Sequence, residues 1–300
     1  MPKWLELSVH AHPEAVDAIA EVFRAHGTGG VAIEQPVRGD EEGERAPIFE
    51  GMPLIKGYVP LTADAAEKER RIEEALWHLQ AFDLSPLGPL QRREIDEEDW
   101  ANAWKEHFHP LKVGRVVIKP SWRDWTPAPD ELVVELDPGM AFGTGQHPTT
   151  RLTLAALQAR VRPGASVLDL GTGSGILAIA AAKLGATVTA LDIGEVAVDV
   201  ARRNVRENGL SDRIRVDRGS IDAVRGCRFR LILANIIASV LIDLARDLAD
   251  ALETDGLLLA SGIIEERAGP VREAFVGAGL AIEDEVSDGD WRLIAARRPR

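Results

Sequence analysis

A glycine-rich turn is the segment whose residue types most clearly suggest chemistry. Residues 167–170 are typical of a buried strand, and Gly171, Gly173 and Gly175 follow them directly, ahead of an apolar segment typical of a helix. Glycine tolerates positive φ and lets a ligand approach the backbone closely, while the N-terminus of a helix can receive an anionic group. The spacing Gly-x-Gly-x-Gly differs from the Gly-x-Gly-x-x-Gly of dinucleotide-binding turns. The turn predicts a ligand site, with a purely structural strand-to-helix turn as the alternative.

A carboxylate at the end of the next predicted strand extends this site. Residues 187–191 are typical of a strand, and Asp192 follows it, 21 residues after Gly171. A carboxylate at that position can accept both hydroxyls of a ribose. The turn and Asp192 together indicate an adenosine-containing ligand, and the tight glycine spacing favours S-adenosylmethionine, which has no pyrophosphate to bind. Alternatively, Asp192 caps the following helix. Ser220, after the third strand, is either close to the adenine or an ordinary loop serine.

Asn235 follows the fourth strand, Leu231–Ala234, and is the candidate catalytic residue. Ligands of open α/β sheets bind outside the carboxyl ends of the strands, so Asn235 is expected to face the methyl group to be transferred. Enzymes that methylate planar nitrogens usually present two prolines and an aromatic residue after such an Asn or Asp. Here Ile236 and Ile237 follow, which favours an aliphatic amine as the acceptor. The alternative is that Asn235 is a helix cap.

The loop of residues 137–150 contains three glycines and leads into a helix that begins with Pro148, Thr149 and Thr150. Such a loop can fold over a bound ligand, and threonine hydroxyls and free N–H groups of a first helical turn can reach a carboxylate. His147 is a possible general base, but its place at the helix entrance favours a role in shaping the loop.

No metal centre or catalytic thiol is predicted. His107 and His109 are two residues apart, which places them on different faces of a helix. Cys227 is the single cysteine, so an intrachain disulfide and a cysteine-cluster metal site are excluded. Three arginines surround it in the sequence, but nothing else there resembles a nucleophilic site. One unpaired cysteine is typical of a reducing cytoplasm, where we expect the protein to be located.

The elements that position these residues belong to an α/β fold. Short apolar strands alternate with helices from Val113 onward, which predicts a parallel, doubly wound sheet. An antiparallel hairpin of Ala281–Val286 and Trp291–Ala296 ends the chain. The predicted strands and helices between them are Val116–Ile118, Leu132–Leu136, Ser166–Leu170, Ala178–Leu184, Thr187–Leu191, Val196–Asn208, Ile214–Val216, Leu231–Ala234, Leu241–Leu252 and Leu257–Ser261.

The N-terminal residues predict a different domain. Strands at residues 4–9, 31–33, 54–59 and 90–95 and two amphipathic helices follow the order strand-helix-strand-strand-helix-strand, while residues 36–53 are expected to form a loop. This order is the split βαβ pattern of ferredoxin-like α+β domains.

A helix is predicted to link the two domains. Residues 96–109 begin with four acidic residues and end before Pro110, and Trp100, Trp104 and Phe108 recur every four residues. The acidic first turn suits a helix dipole, and the aromatic stripe is typical of packing. The domains are therefore expected at residues 1–95 and 110–300.

Composition and charge limit the classes of function. The chain has 300 residues, 45% hydrophobic and 28% charged, which is typical of a globular protein and excludes a fibrous or disordered one. Its apolar runs are too short to cross a bilayer, and its first residues lack the apolar core of a signal peptide. Residues 1–100 carry 10 basic and 21 acidic side chains, and so contribute most of the total net charge of −13. An acidic domain suits a basic partner, or is simply solvated, and we expect no direct binding of nucleic acid.

These motifs together resemble one family. Residues 137–150, 169–180 and 235–236 resemble the bacterial methyltransferases of ribosomal protein L-11 (L11), a family with the class I methyltransferase fold. Residues 100–110 also resemble the segment that precedes the catalytic domain in that family. The resemblance implies S-adenosylmethionine as cofactor, with contacts at Thr150, Gly171, Asp192 and Asn235, and an N-terminal domain that recognises the substrate. Gln146 stands where threonine is frequent in the family, and Ile237 where leucine is common.

The resemblance implies methylation of amino groups of L11, on lysine side chains or the N-terminal amine, by a monomeric enzyme. One alternative is a methyltransferase of a small-molecule amine. A dinucleotide-dependent oxidoreductase is disfavoured by the glycine spacing, and a non-catalytic binding protein would require a damaged cofactor site, which the sequence does not show.

Overall fold

The structure is a computed structural model that describes residues 3–12, 15–27, 31–34, 37–38, 48–49, 52–80, 89–96, 110–137, 145 and 147–300. The chain divides into two compact units, residues 1–108 and 109–300. The predicted linker helix at 96–109, with its aromatic stripe and both histidines, lies outside the described residues except for Asp96. None of the described helices is long and apolar enough to span a membrane.

The first unit contains a four-stranded sheet in the order β2-β5-β1-β6, in which every neighbouring pair is antiparallel. Its elements are β1 (Lys3–His10), α1 (Val16–His26), β2 (Val31–Glu34), β3 (Val37–Arg38), β4 (Ile48–Phe49), β5 (Leu54–Pro60), α2 (Ala65–Gln80) and β6 (Gln91–Asp96). The expectation of an unbroken loop over residues 36–53 is wrong, because β3 and β4 pair within it. The β-branched and aromatic residues of this otherwise polar segment favour strand structure.

Alternating burial in β1 explains the core of this unit. Leu5, Leu7 and Val9 are buried, as expected for a strand with one face against a core. The facing layer comes from the two helices, including Phe23 of α1 and Ile72 of α2. The ferredoxin-like interpretation of this unit stays a prediction.

The second unit contains the large sheet and its helices. Its elements are β7 (Leu111–Val113), β8 (Val116–Lys119), β9 (Leu132–Glu135), α3 (Pro148–Arg160), β10 (Ser166–Leu170), α4 (Ile176–Lys183), β11 (Thr187–Asp192), α5 (Glu195–Glu207), β12 (Ile214–Arg218), β13 (Phe229–Asn235), α6 (Ala238–Asp243), α7 (Ala245–Ala251), β14 (Leu252–Ile264), α8 (Glu265–Gly277), β15 (Ala281–Asp288) and β16 (Trp291–Arg297). A separate small sheet has the order β7-β8-β9.

The seven-stranded sheet confirms the predicted fold class. Its order is β12-β11-β10-β13-β14-β16-β15, with parallel pairing from β12 to β14 and antiparallel pairing of β16 with both of its neighbours. Strand order reverses between β10 and β13, which is where ligands bind in such folds.

Two hydrophobic cores cover the two faces of this sheet. Successive strand residues point to opposite faces, so Val167 belongs to the core under α3, α4 and α5, and Leu168 to the core under α6, α7 and α8. The near-continuous apolar strands noted in the sequence are required because both faces are buried.

One predicted helix differs from the structure, and one observed helix was not predicted. The single helix expected over Leu241–Leu252 is two helices, α6 and α7, with Leu244 between them. Helix α8 was not predicted, because Pro270 lies inside it and proline usually breaks a helix interior. Its buried residues Ala268, Val271 and Phe275, spaced three and four apart, pack on the sheet and stabilise the helix.

Candidate cofactor site

Three of the predicted site residues lie side by side at the carboxyl edge of the sheet. Leu170 pairs with Leu191 on one side and with Ala234 on the other. The next residue of each strand is Gly171, Asp192 or Asn235, so these three form a row across β11, β10 and β13. Sequence reasoning placed each of them at a strand end, and parallel pairing brings them together.

The glycine turn requires glycine both for its backbone and for its packing. Gly171, Gly173 and Gly175 have φ values of +73°, +54° and +84°, a region that other L-residues rarely adopt. A Cβ on Gly171 would lie 2.3 Å from Cγ2 of Ile236, and a Cβ on Gly262 would lie 2.4 Å from the carbonyl oxygen of Ile236. Ile236 is therefore packed between two glycines, which sets the position of the neighbouring Asn235.

Asp192 is half-buried, and both of its carboxylate oxygens accept a backbone hydrogen bond. Oδ2 accepts from the N–H of Gly173, and Oδ1 from that of Gly194, each at 2.9 Å. The N-cap of α5 is Gly194, so the helix-cap alternative for Asp192 is not the one observed. Each carboxylate oxygen can accept more than one hydrogen bond, so Asp192 keeps acceptor capacity for a ligand hydroxyl.

Asp169 is a buried carboxyl group beneath the turn to which sequence reasoning assigned no role. Its Oδ2 accepts from Thr172 Oγ1 at 2.6 Å and from the N–H of Ala178 at 3.1 Å. Burial raises the pKa of Asp169 to about 6, and the charge of Asp192 acts in the same direction. Oδ1 has no hydrogen-bond partner among the described residues. An acidic residue inside an otherwise apolar strand was the signal that could have identified it, because such groups are costly to bury.

Helix α5 supports the turn from the other side. The side-chain amide of the fully buried Asn204 donates to the carbonyl oxygen of Ser174 at 2.8 Å. One turn later, Asn208 donates to the carbonyl oxygen of Glu135 at 2.7 Å and accepts from its N–H at 3.1 Å. The two asparagines thus connect the glycine turn and β9 to one helix. Both were missed, because on a helix they resemble ordinary polar residues.

His147 is the N-cap of α3. Its Nδ1 accepts from the N–H of Thr149 at 3.4 Å and lies 2.7 Å from Thr149 Oγ1. Burial, with the positive charge of Arg151 as a second cause, lowers the pKa of His147 to about 4. An imidazole of such low basicity, with Nδ1 engaged in the helix cap, favours the loop-shaping interpretation over a general base.

Thr150 offers a hydroxyl rather than a free N–H. The expectation of free N–H groups in this turn is wrong, because the N–H of Thr149 bonds to the His147 ring and that of Thr150 to the His147 carbonyl oxygen at 3.1 Å. Thr150 is buried, and within the described part of the chain its Oγ1 has no hydrogen-bond partner. A buried hydroxyl without a partner is costly, and a ligand contact at Thr150 stays a prediction.

The glycine-containing loop before α3 is described only in part. Asp137 accepts from the N–H and the Oγ of Ser121, at 2.6 and 2.9 Å. Gly145 has a φ of +88°, and a Cβ there would lie 2.6 Å from Ile118 Cδ1. Residues 138–144 and 146 lie outside the described residues, so folding of the loop over a ligand stays a prediction.

Asn235 and Ser220 are both half-buried at this edge. Asn235 pairs across the sheet with Ser261, and the N-cap of α6 is Ile237, so Asn235 is not the cap of that helix. Ser220 follows Gly219, whose N–H donates to the carbonyl oxygen of Asp192 at 2.9 Å. Ser220 is thus one residue away from a backbone contact with Asp192, and its approach to the adenine stays a prediction.

Exposed apolar side chains follow two of the site residues. Ile193 is 73% exposed directly after Asp192, and Ile237 is 53% exposed two residues after Asn235. Such side chains next to polar anchors are typical of pockets for small molecules. Sequence reasoning missed Ile193, because one apolar residue after a strand carries no periodic signal.

The exposed Cys227 lies elsewhere. It precedes β13, whereas Asn235 ends that strand. Cys227 lines a groove of about 360 Å³ with Asp222, Arg225 and Arg228. Among the residues that the structure describes, no three His, Cys, Asp or Glu side chains form a metal-binding group.

A family model and related proteins match this chain over nearly its whole length. The family model described as ribosomal protein L11 methyltransferase matches residues 3–299. A ribosomal protein L11 methyltransferase from Chloroflexus aurantiacus is 45% identical over 325 aligned positions, which cover 99% of this chain and 98% of that protein. Another, from Pelotomaculum thermopropionicum, is 44% identical and covers 98% and 99%.

A solved structure is similar as well. The crystal structure of a ribosomal protein L11 methylase from Lactobacillus delbrueckii subsp. bulgaricus is 35% identical, covers 64% of this chain and 100% of its own, and has a TM-score of 0.60. The family match, the identities and this structure support one assignment: the chain belongs to the ribosomal protein L11 methyltransferase family.

Proposed function

We propose that this protein is an S-adenosylmethionine-dependent methyltransferase that methylates amino groups of ribosomal protein L11, on lysine side chains or the N-terminal amine. The observation that carries the proposal is the row of Gly171, Asp192 and Asn235 across three neighbouring strands of the sheet. The names of the relatives supply the substrate.

The residues present fit S-adenosylmethionine. Asp192 has acceptor capacity for the ribose hydroxyls. Ser220 follows Gly219, whose N–H bonds to the Asp192 carbonyl oxygen, and is the proposed contact for the adenine. Thr150 offers a buried hydroxyl without a partner in the described chain, which suits the methionyl carboxylate. Gly171 holds the glycine turn at the carboxyl edge of the sheet through its positive φ of +73°. When bound, S-adenosylmethionine supplies a methyl group on a positively charged sulfur.

The protein must present a neutral amine. A lysine with a pKa of about 10.4 is neutral in roughly one molecule of 2,500 at pH 7. A site that excludes water disfavours the charged amine and so raises this fraction. The exposed Ile237, two residues after Asn235, provides an apolar surface for the aliphatic part of a lysine.

Asn235 is the proposed catalytic residue. Its side-chain carbonyl accepts a hydrogen bond from the amine N–H and so directs the nitrogen lone pair towards the methyl carbon. Alignment of two reacting atoms at about 3–3.5 Å supplies much of the acceleration in such reactions. No general base is required in the chain, because the amine that attacks has already lost its proton.

The first unit is the proposed substrate-recognition domain, residues 1–95, and residues 110–300 are the proposed catalytic domain. The excess of acidic side chains in residues 1–100 suits a basic substrate protein. A ribosomal substrate and a single cysteine favour the cytoplasm, and we propose a monomer.

The test is to incubate the full chain with S-adenosylmethionine labelled in its methyl group and with purified L11, and to locate the label by mass spectrometry. We expect label on amino groups of L11 and none on L11 whose amines have been acetylated. Transfer to small amines but not to L11 would replace the protein substrate with a small-molecule one.

The variant Asn235→Ala tests the catalytic role. Because alignment matters most in the transition state, the single-turnover rate at saturating cofactor should fall by about 100-fold. The affinity for the cofactor should change less than about threefold. A loss confined to cofactor affinity would make Asn235 a binding residue only.

A further inference from the structure

The turn of the C-terminal hairpin lies against the first turn of α3, which carries Thr150. Asp288 and Trp291 are the last paired residues of β15 and β16, so a two-residue turn connects these strands. We call residues 288–291 the hairpin turn. Sequence reasoning treated this hairpin only as an addition to the sheet.

Both ends of the hairpin turn contact the first turn of α3. Asp288 Oδ2 accepts from Arg151 Nη2 at 2.7 Å and from Arg151 Nε at 3.2 Å. The ring of Trp291 makes an edge contact with the His147 ring, with the centroids 4.6 Å apart. His147 and Arg151 are four residues apart and share one face of the helix, so the hairpin turn holds the start of α3 at two points.

The hairpin turn is itself held by the start of α8. The carbonyl oxygen of Asp290 accepts from the N–H of Glu265 at 2.8 Å. The Arg292 guanidinium, only 14% exposed, pairs with the Glu265 carboxylate at 2.8 Å and donates to the carbonyl oxygen of Gly289 at 2.7 Å. These contacts connect the hairpin turn to the end of β14 and make it a fixed support for α3.

Thr150 lies between the two residues that the hairpin turn contacts. Its N–H bonds to the His147 carbonyl oxygen at 3.1 Å, so its backbone follows the position of the capping residue. We propose that Asp288 and Trp291 are positioning residues for cofactor binding: by holding Arg151 and His147, the hairpin turn directs the Thr150 hydroxyl towards the carboxylate of the bound cofactor. This proposal rests on the proposed function, and specifically on Thr150 binding the amino-acid end of S-adenosylmethionine.

The chain contains a matched control. Asp284, also on β15, pairs with Arg160 at the far end of the same helix, at 2.6 Å. The two ion pairs join the same two elements and have similar exposure, 20% and 37% for Arg151 and Asp288 against 23% and 44% for Arg160 and Asp284. Asp288→Asn and Asp284→Asn therefore each remove an ion pair between α3 and β15, at different distances from Thr150. Arg160 keeps a second carboxylate partner, Glu283 at 3.6 Å, so Asp284→Asn controls for the loss of a carboxylate charge on β15.

The measurement is isothermal titration calorimetry of the full chain with two ligands. S-adenosylhomocysteine and 5′-methylthioadenosine both carry a thioether and an adenosine, but only the first has the amino-acid end. We expect Asp288→Asn to weaken the affinity for S-adenosylhomocysteine by about tenfold, because a supporting contact sets the geometry of a binding group. The affinity for 5′-methylthioadenosine should stay within about twofold of the wild-type value. Asp284→Asn should leave both ligands within about twofold.

Unchanged S-adenosylhomocysteine affinity in Asp288→Asn overturns the proposal, as does an equal loss of both ligands. Trp291→Leu, which removes the ring contact, provides a second variant with the same expectation, and Trp291→Phe should retain most of the affinity. Thermal unfolding identifies any variant that fails to fold, and the other variant then decides. If the wild-type chain binds neither ligand, the proposed function fails rather than the role of the hairpin turn.

Discussion

At the scale of single residues, two carboxyl groups at one edge of the sheet have different environments. Asp192 is half-buried and accepts two backbone N–H groups, whereas Asp169 is fully buried and has one oxygen without a partner among the described residues. The first arrangement suits a charged acceptor for ligand hydroxyls. The second raises the pKa of Asp169 to about 6, because burial disfavours the charged form.

Asp192→Ala should weaken binding of S-adenosylmethionine by about 1.5–3 kcal/mol, the range for hydrogen bonds to a charged group. Because the carboxylate also accepts from Gly173 and Gly194, we expect some loss of stability too, and the folded fraction must be checked by circular dichroism. Calorimetric titration measures the affinity. A folded variant with wild-type affinity would contradict the ribose assignment.

Asp169→Asn should change how stability depends on pH. The pKa of Asp169 in the folded protein, about 6, lies above the ordinary value of 3.8. The unfolded chain therefore loses this proton first, and the wild type should lose about 2–3 kcal/mol of stability relative to the variant as pH rises from 4 to 7. The asparagine oxygen can still accept from Thr172 and Ala178. Urea unfolding at pH 4.5, 5.5 and 7 measures the difference, and parallel curves for the two proteins would refute it.

At the scale of elements, the site depends on a close approach between two strand-end segments. Ile236, after β13, occupies the space left by the absent side chains of Gly171 and Gly262. The glycine turn thus serves the packing of the sheet edge, in addition to its proposed role in ligand binding. Its two roles explain why a side chain here should affect both stability and binding.

Gly171→Ala should cost more stability than Gly164→Ala, although both glycines have similar positive φ, +73° and +79°. Each alanine incurs about 1–2 kcal/mol of backbone strain, but Gly164 has nothing within 4 Å of its added Cβ, whereas Gly171 has Ile236 at 2.3 Å. Overpacking should add roughly 1–3 kcal/mol at Gly171.

Urea unfolding of both variants measures this difference, and the double variant Gly171→Ala with Ile236→Ala should recover part of it. Equal losses of stability at the two glycines would show that the Ile236 side chain can move aside without a measurable loss of unfolding free energy.

At the scale of the whole molecule, charge is divided unevenly between the two units. Residues 1–100 contain 21 acidic and 10 basic side chains, and residues 101–300 contain 27 and 25. Some basic groups of the first unit are paired on its own surface, as Arg70 is with Glu67 at 2.9 Å. An uneven charge of this kind influences association with a charged partner more than it influences the fold.

The KM for L11 should rise severalfold between about 50 and 300 mM salt, because screening weakens attraction between an acidic domain and a basic protein. The affinity for S-adenosylmethionine should change less than about twofold, since its proposed contacts all lie in the second unit and act at short range. Steady-state kinetics with the intact chain and calorimetry at each salt concentration provide the two measurements. A KM that is independent of salt would argue against charge-driven recognition.

The amino-acid sequence by itself determined the α/β class and the three residues in the row at the sheet edge. Apolar strands alternating with helices leave few arrangements other than a parallel sheet, and the residue after each strand must then lie at the carboxyl edge. Gly171, Asp192 and Asn235 could thus be predicted from local patterns. Helix α8 could not, because Pro270 argues locally against a helix that tertiary packing stabilises.

Only the tertiary structure decided which polar groups at the site are already hydrogen-bonded or ion-paired within the protein. Arg151 and Asp288 are 137 residues apart, and no local pattern connects them. The burial that raises the pKa of Asp169 comes from elements far from it in the chain, as does the Ile236 side chain that fills the space at Gly171. Whether the Thr150 N–H is free or hydrogen-bonded likewise depends on the position of the His147 carbonyl oxygen in the folded chain. Sequence patterns report periodicity and residue type, whereas the energy of a buried polar group depends on neighbours that only the folded chain brings close.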